Sequence, residues 1–245
     1  MTNLSVNLNK IALLRNARSL DIPNVIKAAK TCIAAGAYGI TVHPRPDERH
    51  IRYSDVYELK PIVSSVEYNI EGNPFTGKFM ELMPDIRPTQ ATLVPDMPGA
   101  VTSDHGWDLT EENCKRLIPV IEQLRSLGIR TSLFVDPVNA TIEKAKQIGA
   151  DRIELYTEPY ASAFAENKNF EMITAKFAEA AAKANQIGLG VNAGHDLNLD
   201  NLGFFCKNVK PVMEVSIGHA LISDAIDMGL AEAVKAYIKI LNENS

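Results

Sequence analysis

Short runs of apolar residues alternate along this chain with longer stretches whose apolar positions recur every three or four residues. The first pattern is that of a buried strand and the second that of an amphipathic helix. Residues 4–8 read as a first strand, and residues 24–35 as a helix closed by Gly36. Residues 38–43 read as a second strand with a helix over 54–63, and residues 66–71 as a third with a helix over 76–83. A fourth strand over 91–95 leads through a loop rich in Pro, Gly and Asp to a helix over 110–127. A fifth over 131–136 is followed by a helix over 140–148, and a sixth over 152–157 by an Ala-rich helix over 160–187 with a break near 167–169. The seventh, 189–194, precedes a short helix near 199–206, and the eighth, 213–218, a final helix over 222–241.

Eight strands, each followed by a helix in 245 residues, is the arithmetic of a (β/α)₈ barrel. A doubly wound open sheet is the competing layout, but no GxGxxG follows the first strand. No composition break or linker divides the chain, so residues 1–245 read as one barrel with extra short helices.

In such a barrel chemistry sits at the C-terminal ends of the strands. Those ends read Asn7 and Asn9; His43 and Arg45; Glu71; Asp96; Asp136; Glu154 and Thr157; His195; and Gly218 with His219. Four of the five histidines, His43, His50, His195 and His219, fall at the ends of strands two, seven and eight, and His105 falls in the loop after strand four. Imidazole exchanges protons near neutral pH, and the Arg45 fork grips phosphate or carboxylate. The segment 39–51, where a strand breaks at Pro44 and Pro46 into a loop carrying His43, Arg45 and His50, therefore has the make-up of an active-site mouth. Taken alone it is equally a solvated loop with incidental histidines.

Glu67, Asn69 and Glu71 alternate with Val66, Tyr68 and Ile70, which puts three polar groups on one face of the third strand. Pointed inward, Glu71 would be uppermost and partly desolvated, which raises a carboxyl pKa and suits acid/base work. A wetted or salt-bridged face is the alternative. Glu154 invites the same reasoning, with Arg152 as a partner on the same face. Strands seven and eight end in Asn-Ala-Gly-His-Asp and Ser-Ile-Gly-His-Ala, each setting Gly-His before a helical segment. Glycine admits close backbone approach and helix N-termini attract phosphate, though turn chemistry alone would also place these residues.

Composition narrows the choice. A net charge of −5 argues against a nucleic-acid scaffold and provides no basic tail for a membrane surface. Local arginines still admit phosphorylated small molecules. Cys32, Cys114 and Cys206 are scattered and odd in number, which fits free thiols. The N-terminus has no basic, apolar leader pattern, so the expected location is cytoplasmic. HExxH, a His-x-His on the first strand and GxSxG are all absent, which leaves no metal or serine-nucleophile signature beyond a convergence of His43, His195 and His219 on zinc.

The segments 6–18 (Val-Asn-Leu-Asn-Lys-Ile-Ala-Leu-Leu-Arg-Asn-Ala-Arg), 39–45 (Gly-Ile-Thr-Val-His-Pro-Arg), 49–51 (Arg-His-Ile), 69–71 (Asn-Ile-Glu) and 132–136 (Ser-Leu-Phe-Val-Asp), with Val-Asn-Ala-Gly-His at 191–195 and Ile-Gly-His-Ala at 217–220, carry a resemblance over essentially the whole chain. The chain resembles the pyridoxine 5′-phosphate synthases of deoxyxylulose-dependent vitamin B6 synthesis. That resemblance implies a (β/α)₈ barrel joining 1-deoxy-D-xylulose 5-phosphate to 3-amino-2-oxopropyl phosphate, with release of phosphate and water and no organic cofactor or metal. It implies that His43 and Glu71 accept protons, His195 donates one and Glu154 stabilises a charged transition state. Asn7, Gly218 and His219 would hold the aminoketone phosphate, and Arg18, Arg45, His50 and Thr102 the sugar phosphate. It also implies a homo-oligomer, an octamer in the family, in which Arg18 reaches a neighbour's site. Other phosphosugar lyases or isomerases, and a non-catalytic phosphate-binding barrel, are the competing readings.

The chain departs from the family pattern at three site positions. Asn9 and Lys10 stand where Asp and His are common, and Asp196 stands where glycine is common. Asn9 keeps hydrogen bonding without charge, and Lys10 keeps a cation without an imidazole. The Asp196 carboxylate is expected to point away from a phosphate and cap the next helix. The loop over residues 96–108, with Pro98, Gly99, Gly106 and Trp107, reads as a lid. Arg15 and Arg18 would repel one another unless anions offset them.

Overall fold

The computed structural model describes residues 1–96 and 103–244. In chain order the elements are β1 (Asn3–Asn7), α1 (Asn9–Asn16), α2 (Val25–Ala34), β2 (Gly39–Val42), α3 (Tyr53–Leu59), β3 (Glu67–Gly72), α4 (Phe79–Ile86) and β4 (Gln90–Leu93). They continue as α5 (Glu111–Ser126), β5 (Arg130–Val135), α6 (Asn139–Gln147), β6 (Arg152–Tyr156), α7 (Glu158–Ala165) and α8 (Phe170–Gln186). The last are β7 (Gly190–Gly194), α9 (Leu202–Asn208), β8 (Glu214–Ile217), α10 (His219–Met228) and α11 (Leu230–Asn244). All eight strands pair in parallel with their sequence neighbours, and β8 closes onto β1 through the register Leu4 to Val215 and Val6 to Ile217. The fold is the expected (β/α)₈ barrel.

Alternation along the strands decides where the core lies. Val6, Ile40, Val42, Ile70, Leu93, Leu133, Leu155, Val191 and Val215 are fully buried in the main apolar cluster, against the helices that surround the barrel. The other face of each strand points to the barrel axis, and there the residues are mostly polar, with Phe134 and Tyr156 forming a small aromatic exception near the top. The Ser5 and Thr41 hydroxyls lie 2.7 Å apart, and Thr92 donates to Asn69 at 2.9 Å. Asn192 on β7 donates across the axis to Gln90 on β4 at 3.2 Å, and Arg130 donates to the same Gln90 oxygen at 2.9 Å. Arg130 also pairs with Glu67, so the lowest carboxylate of β3 is salt-bridged, while Glu71 above it meets no lysine or arginine among the described residues. This interior is a hydrogen-bonded stack rather than the branched aliphatic filling common in such barrels. Arg152 donates to Asn192 at 3.0 Å, so the expected partnership with Glu154 gives way to an amide one strand over.

One helix expectation changes, one helix is new and one expected break is present. The single final helix is two, α10 and α11, because Gly229 adopts φ +82°, which ends the first segment. The first helix, α1, carried no legible pattern. Its apolar residues fall on both sides, with Ile11 and Ala12 buried and Leu13 and Leu14 exposed. The expected break in the long Ala-rich helix is present between α7 and α8, where Asn167 and Asn169 both take left-handed backbone. No helix of the described residues is long and apolar enough to cross a membrane.

Candidate active site

At the C-terminal ends of the strands lies a cavity of about 580 Å³. Its walls include His43, Glu71, Glu154 and His195 together with Asn7, Asn9, Lys10, Arg45, His50, Asp196, Gly218 and His219. Twelve of the fourteen expected site residues therefore line one space. Arg18 is exposed after the end of α1 and lines no part of it. Thr102 lies outside the described residues, as do Pro98 and Gly99 of the expected lid. The described end of that lid is fastened down: Trp107 is buried, with its indole N–H donating to Leu93 O at 2.9 Å and its amide to Phe134 O at 2.8 Å. A cavity of comparable size, about 630 Å³, opens at the opposite end of the barrel, lined by Tyr38, Val66 and Glu67. No histidine, arginine or lysine lines it, so volume alone does not mark the site.

Glu71, at the top of β3, receives Asn7 Nδ2 at 3.3 Å and lies 3.9 Å from His43 Nδ1. Burial, reinforced by the neighbouring Asp96, raises its carboxyl to about 8, against the opposing pull of Ser216 and Asn7. Glu154, inward on β6, is raised well above the ordinary range by burial and by Glu71 and Glu214. Glu214, lower on β8, is lifted to about 7 by burial and by Glu67. Three carboxyls in one low-dielectric interior cannot all be charged near neutral pH. Gly194 explains how Glu154 fits: a side-chain carbon there would meet Glu154 Oε1 at 2.5 Å. Gly218 is bare for a similar reason, since Asn7 Cβ would stand 3.1 Å from an added carbon.

His43 is buried, and that burial, with Arg45 and His195 nearby, lowers its imidazole to about 3. Its backbone N–H donates to Asn9 Oδ1 at 2.9 Å, while Asn9 N donates to Asn7 Oδ1 at 2.9 Å. Asn9 thus splints β1 to the end of β2, a task that needs an acceptor oxygen but no charge. His50 is also lowered to about 3, by burial first and His43 second, and its Nδ1 accepts from Ile51 N at 2.9 Å. Arg45 Nη1 meets Asp96 Oδ2 at 2.5 Å, both side chains being buried. Arg15, one of the two arginines expected to need an offsetting anion, is buried against Asp55 and also donates to His50 O at 3.1 Å.

His195 stands at φ +82° with its ring centroid 5.0 Å from Phe134 and 5.4 Å from Tyr156. Burial lowers its pKa, with Asp196 and Asp96 opposing. The Thr157 hydroxyl lies 2.5 Å from the carbonyl oxygens of both Gly194 and His195 and fixes the loop beneath the ring. Asp196 follows at φ +58°, backbone that glycine adopts freely and aspartate tolerates. Its side chain is exposed and caps no helix: α9 begins only at Leu202, with Asn201 at its N-cap and Asn201 Nδ2 held by Asp196 O. Only the second Gly-His therefore opens a helix directly, His219 being the first residue of α10 with Gly218 at its N-cap. Its first-turn N–H groups adjoin the cavity wall formed by Gly218 and His219.

Sequence reading passed over Leu13, Arg49, Ser103, Tyr156, Glu158 and Ser216, which also line the cavity. Tyr156 and Ser216 share the inward parity of Glu154 and Gly218, a signal the alternation carried. Among the described residues no group of three or more His, Cys, Asp or Glu could hold a metal ion, so the three-histidine zinc arrangement does not form.

The family model of "Pyridoxal phosphate biosynthesis protein PdxJ" matches residues 4–243. A pyridoxine 5′-phosphate synthase from Parabacteroides distasonis is 56% identical over 242 residues, covering 99% of this chain and all of that protein. One from Bacteroides thetaiotaomicron is 55% identical, covering 97% of this chain and 98% of its own. Among solved structures, a tryptophan synthase from M. tuberculosis matches with a TM-score of 0.65 at 10% identity, covering 98% of this chain and 92% of its own, which bears on the fold alone.

Proposed function

Because the chain belongs to the PdxJ family of pyridoxal phosphate biosynthesis proteins, whose members include the pyridoxine 5′-phosphate synthases, we propose that it condenses 1-deoxy-D-xylulose 5-phosphate with 3-amino-2-oxopropyl phosphate. The observation that carries this reading is the convergence of His43, Glu71, Glu154 and His195 on the cavity that Lys10, Arg45, Arg49 and the start of α10 also line. Forming a pyridine ring from an amine and two ketones means adding the amine to a carbonyl, losing water and phosphate, and closing the ring through an enol. Every one of those steps moves a proton, and none succeeds in a site that admits bulk water to an imine.

His43 is neutral and buried, so its free nitrogen accepts a proton from the attacking amine. Glu71, protonated below about 8, gives a proton to a departing hydroxyl and takes one from carbon once ionised. His195 stands across the cavity as the donor for a second leaving group. Glu154 is held neutral by its surroundings, and an iminium beside it would favour its ionised form, which offsets that positive charge. Arg45, Lys10 and His50 hold the sugar phosphate, and the amides of Gly218 and His219 hold the aminoketone phosphate. Arg18, exposed in one chain, fits a role in a neighbouring subunit of an oligomer.

The test is to incubate the purified protein with both substrates and follow the pyridine chromophore together with released phosphate. Binding of both phosphates with no product would favour a phosphate-binding barrel instead.

A further inference from the structure

His43 lies between two carboxyl groups. Glu71 Oε2 is 3.9 Å from its Nδ1, and Asp96 Oδ2 is 4.0 Å from its Nε2. The other charged or titratable groups acting on the ring among the described residues are Arg45, Asp47 and Arg49 in the same loop, His50 with its centroid 6.0 Å away, and His195 at the end of β7. The two carboxyls are not equivalent. Asp96 forms an ion pair with Arg45 at 2.5 Å, and its backbone is anchored by Asn73 Nδ2, which donates to Asp96 O at 2.9 Å. Glu71 has an amide donor in Asn7 but no cation in contact among the described residues, and burial keeps it protonated to about 8.

We propose that Asp96 is a positioning residue which, held by Arg45, keeps the proton of neutral His43 on Nε2 and leaves Nδ1 as the accepting nitrogen facing Glu71. An anion beside Nε2 favours the tautomer with hydrogen there, and a protonated carboxyl beside Nδ1 favours a lone pair there. Both ends of the ring select the same tautomer. When Nδ1 takes a proton, the imidazolium carries hydrogen toward Asp96 and the charge is offset at Nε2. This is the logic of a base oriented by a buried carboxylate, with contacts that shorten when substrate fills the cavity. The proposal rests on His43 being the proton acceptor of the proposed synthase, but the deciding readout, the tautomer of the ring, needs no substrate.

The protein is labelled with ¹⁵N-histidine, and two-bond proton–nitrogen correlations are recorded at neutral pH on the substrate-free enzyme. The His43 signals are those missing from His43→Gln. The expected spectrum shows Nε2 protonated and Nδ1 bare. In Asp96→Asn the Nδ1–H form should become appreciable, with kcat falling about 100-fold or more while neither KM moves comparably. In Glu71→Gln the Nε2–H form should persist. A protonated Nδ1 in the wild-type protein, an unchanged tautomer in Asp96→Asn, or a switch in Glu71→Gln would each overturn the assignment. Failure of the synthase reading would appear separately, as absent product in an enzyme whose tautomer is as stated.

Discussion

Arg15 Nη1 lies 2.5 Å from Asp55 Oδ1, and Nη2 lies 2.9 Å from Oδ2, so a buried fork joins α1 to α3. The same Nη2 donates to His50 O, and Asp55 Oδ2 also accepts from Arg52 N at 2.7 Å. The pair therefore fixes the loop that presents Arg45 and His50. Removing one member leaves the other charged and buried. Asp55→Ala should cost about 3–5 kcal/mol of stability, read by urea unfolding. Loss of less than ~1 kcal/mol would mean the loop is held elsewhere.

Glu71→Gln should abolish pyridine formation while leaving the fold intact, because an amide neither gives nor accepts the proton. Its circular dichroism and unfolding midpoint should stay near wild type, or rise, since a neutral amide suits that buried position. Near-normal turnover in this variant would remove Glu71 from the chemistry.

Stability against pH should carry the mark of the interior carboxyls. Glu71 and Glu214 have folded values raised to about 8 and about 7, so between the unfolded carboxyl range and those values the native state holds the extra protons. Their contribution is complete at low pH and is lost as pH rises through the folded values. His43 and His50 are lowered to about 3 and act oppositely, but only below the ordinary histidine value near 6.5. Between about pH 6.5 and 8 these carboxyls set the slope, and the melting temperature should decline across that window. Glu214→Gln should flatten that decline, and an unchanged slope would show that Glu214 ionises in the folded protein without penalty.

Lys10 faces the cavity, whereas Asn9 is occupied in bracing His43 N. Lys10→Met should raise the KM for the sugar phosphate about tenfold, ~1.4 kcal/mol, and leave the other substrate's KM largely alone. If neither KM moves, Lys10 serves only the surface.

Arg18 is exposed in the single chain and lies outside the cavity lining. Mixing inactive Arg18→Ala with inactive His43→Ala under subunit exchange should restore activity if one subunit completes another's site. No recovery despite verified exchange would confine Arg18 to its own chain.

The barrel was legible because its evidence is periodic: eight short apolar runs separated by helical spacing leave few other layouts. Most of the site was legible too, since residues at strand ends have nowhere else to converge. What stayed hidden depends on partners distant in sequence. Arg15 reads as a second cation beside Arg18 until Asp55, 40 positions on, is seen to neutralise it. Asp96 reads as one strand-end acid among several until Arg45 is seen to hold it. Asp196 departs from the family glycine, and only its φ of +58° shows that the position asks for a backbone shape more than for a missing side chain. The division at Gly229 depends on a backbone angle that apolar spacing does not encode.

The bare backbone at Gly194 and the carboxyl of Glu154 occupy a single volume contributed by two neighbouring strands. Gly194→Ala should push the Glu154 carboxyl out of place and so lower kcat more than stability, and Glu154→Asp, whose shorter arm withdraws from the added methyl, should relieve the crowding without restoring the carboxyl to its place. The reach of the acid is thus set by the bareness of its neighbour, and the glycine serves the chemistry without touching a substrate.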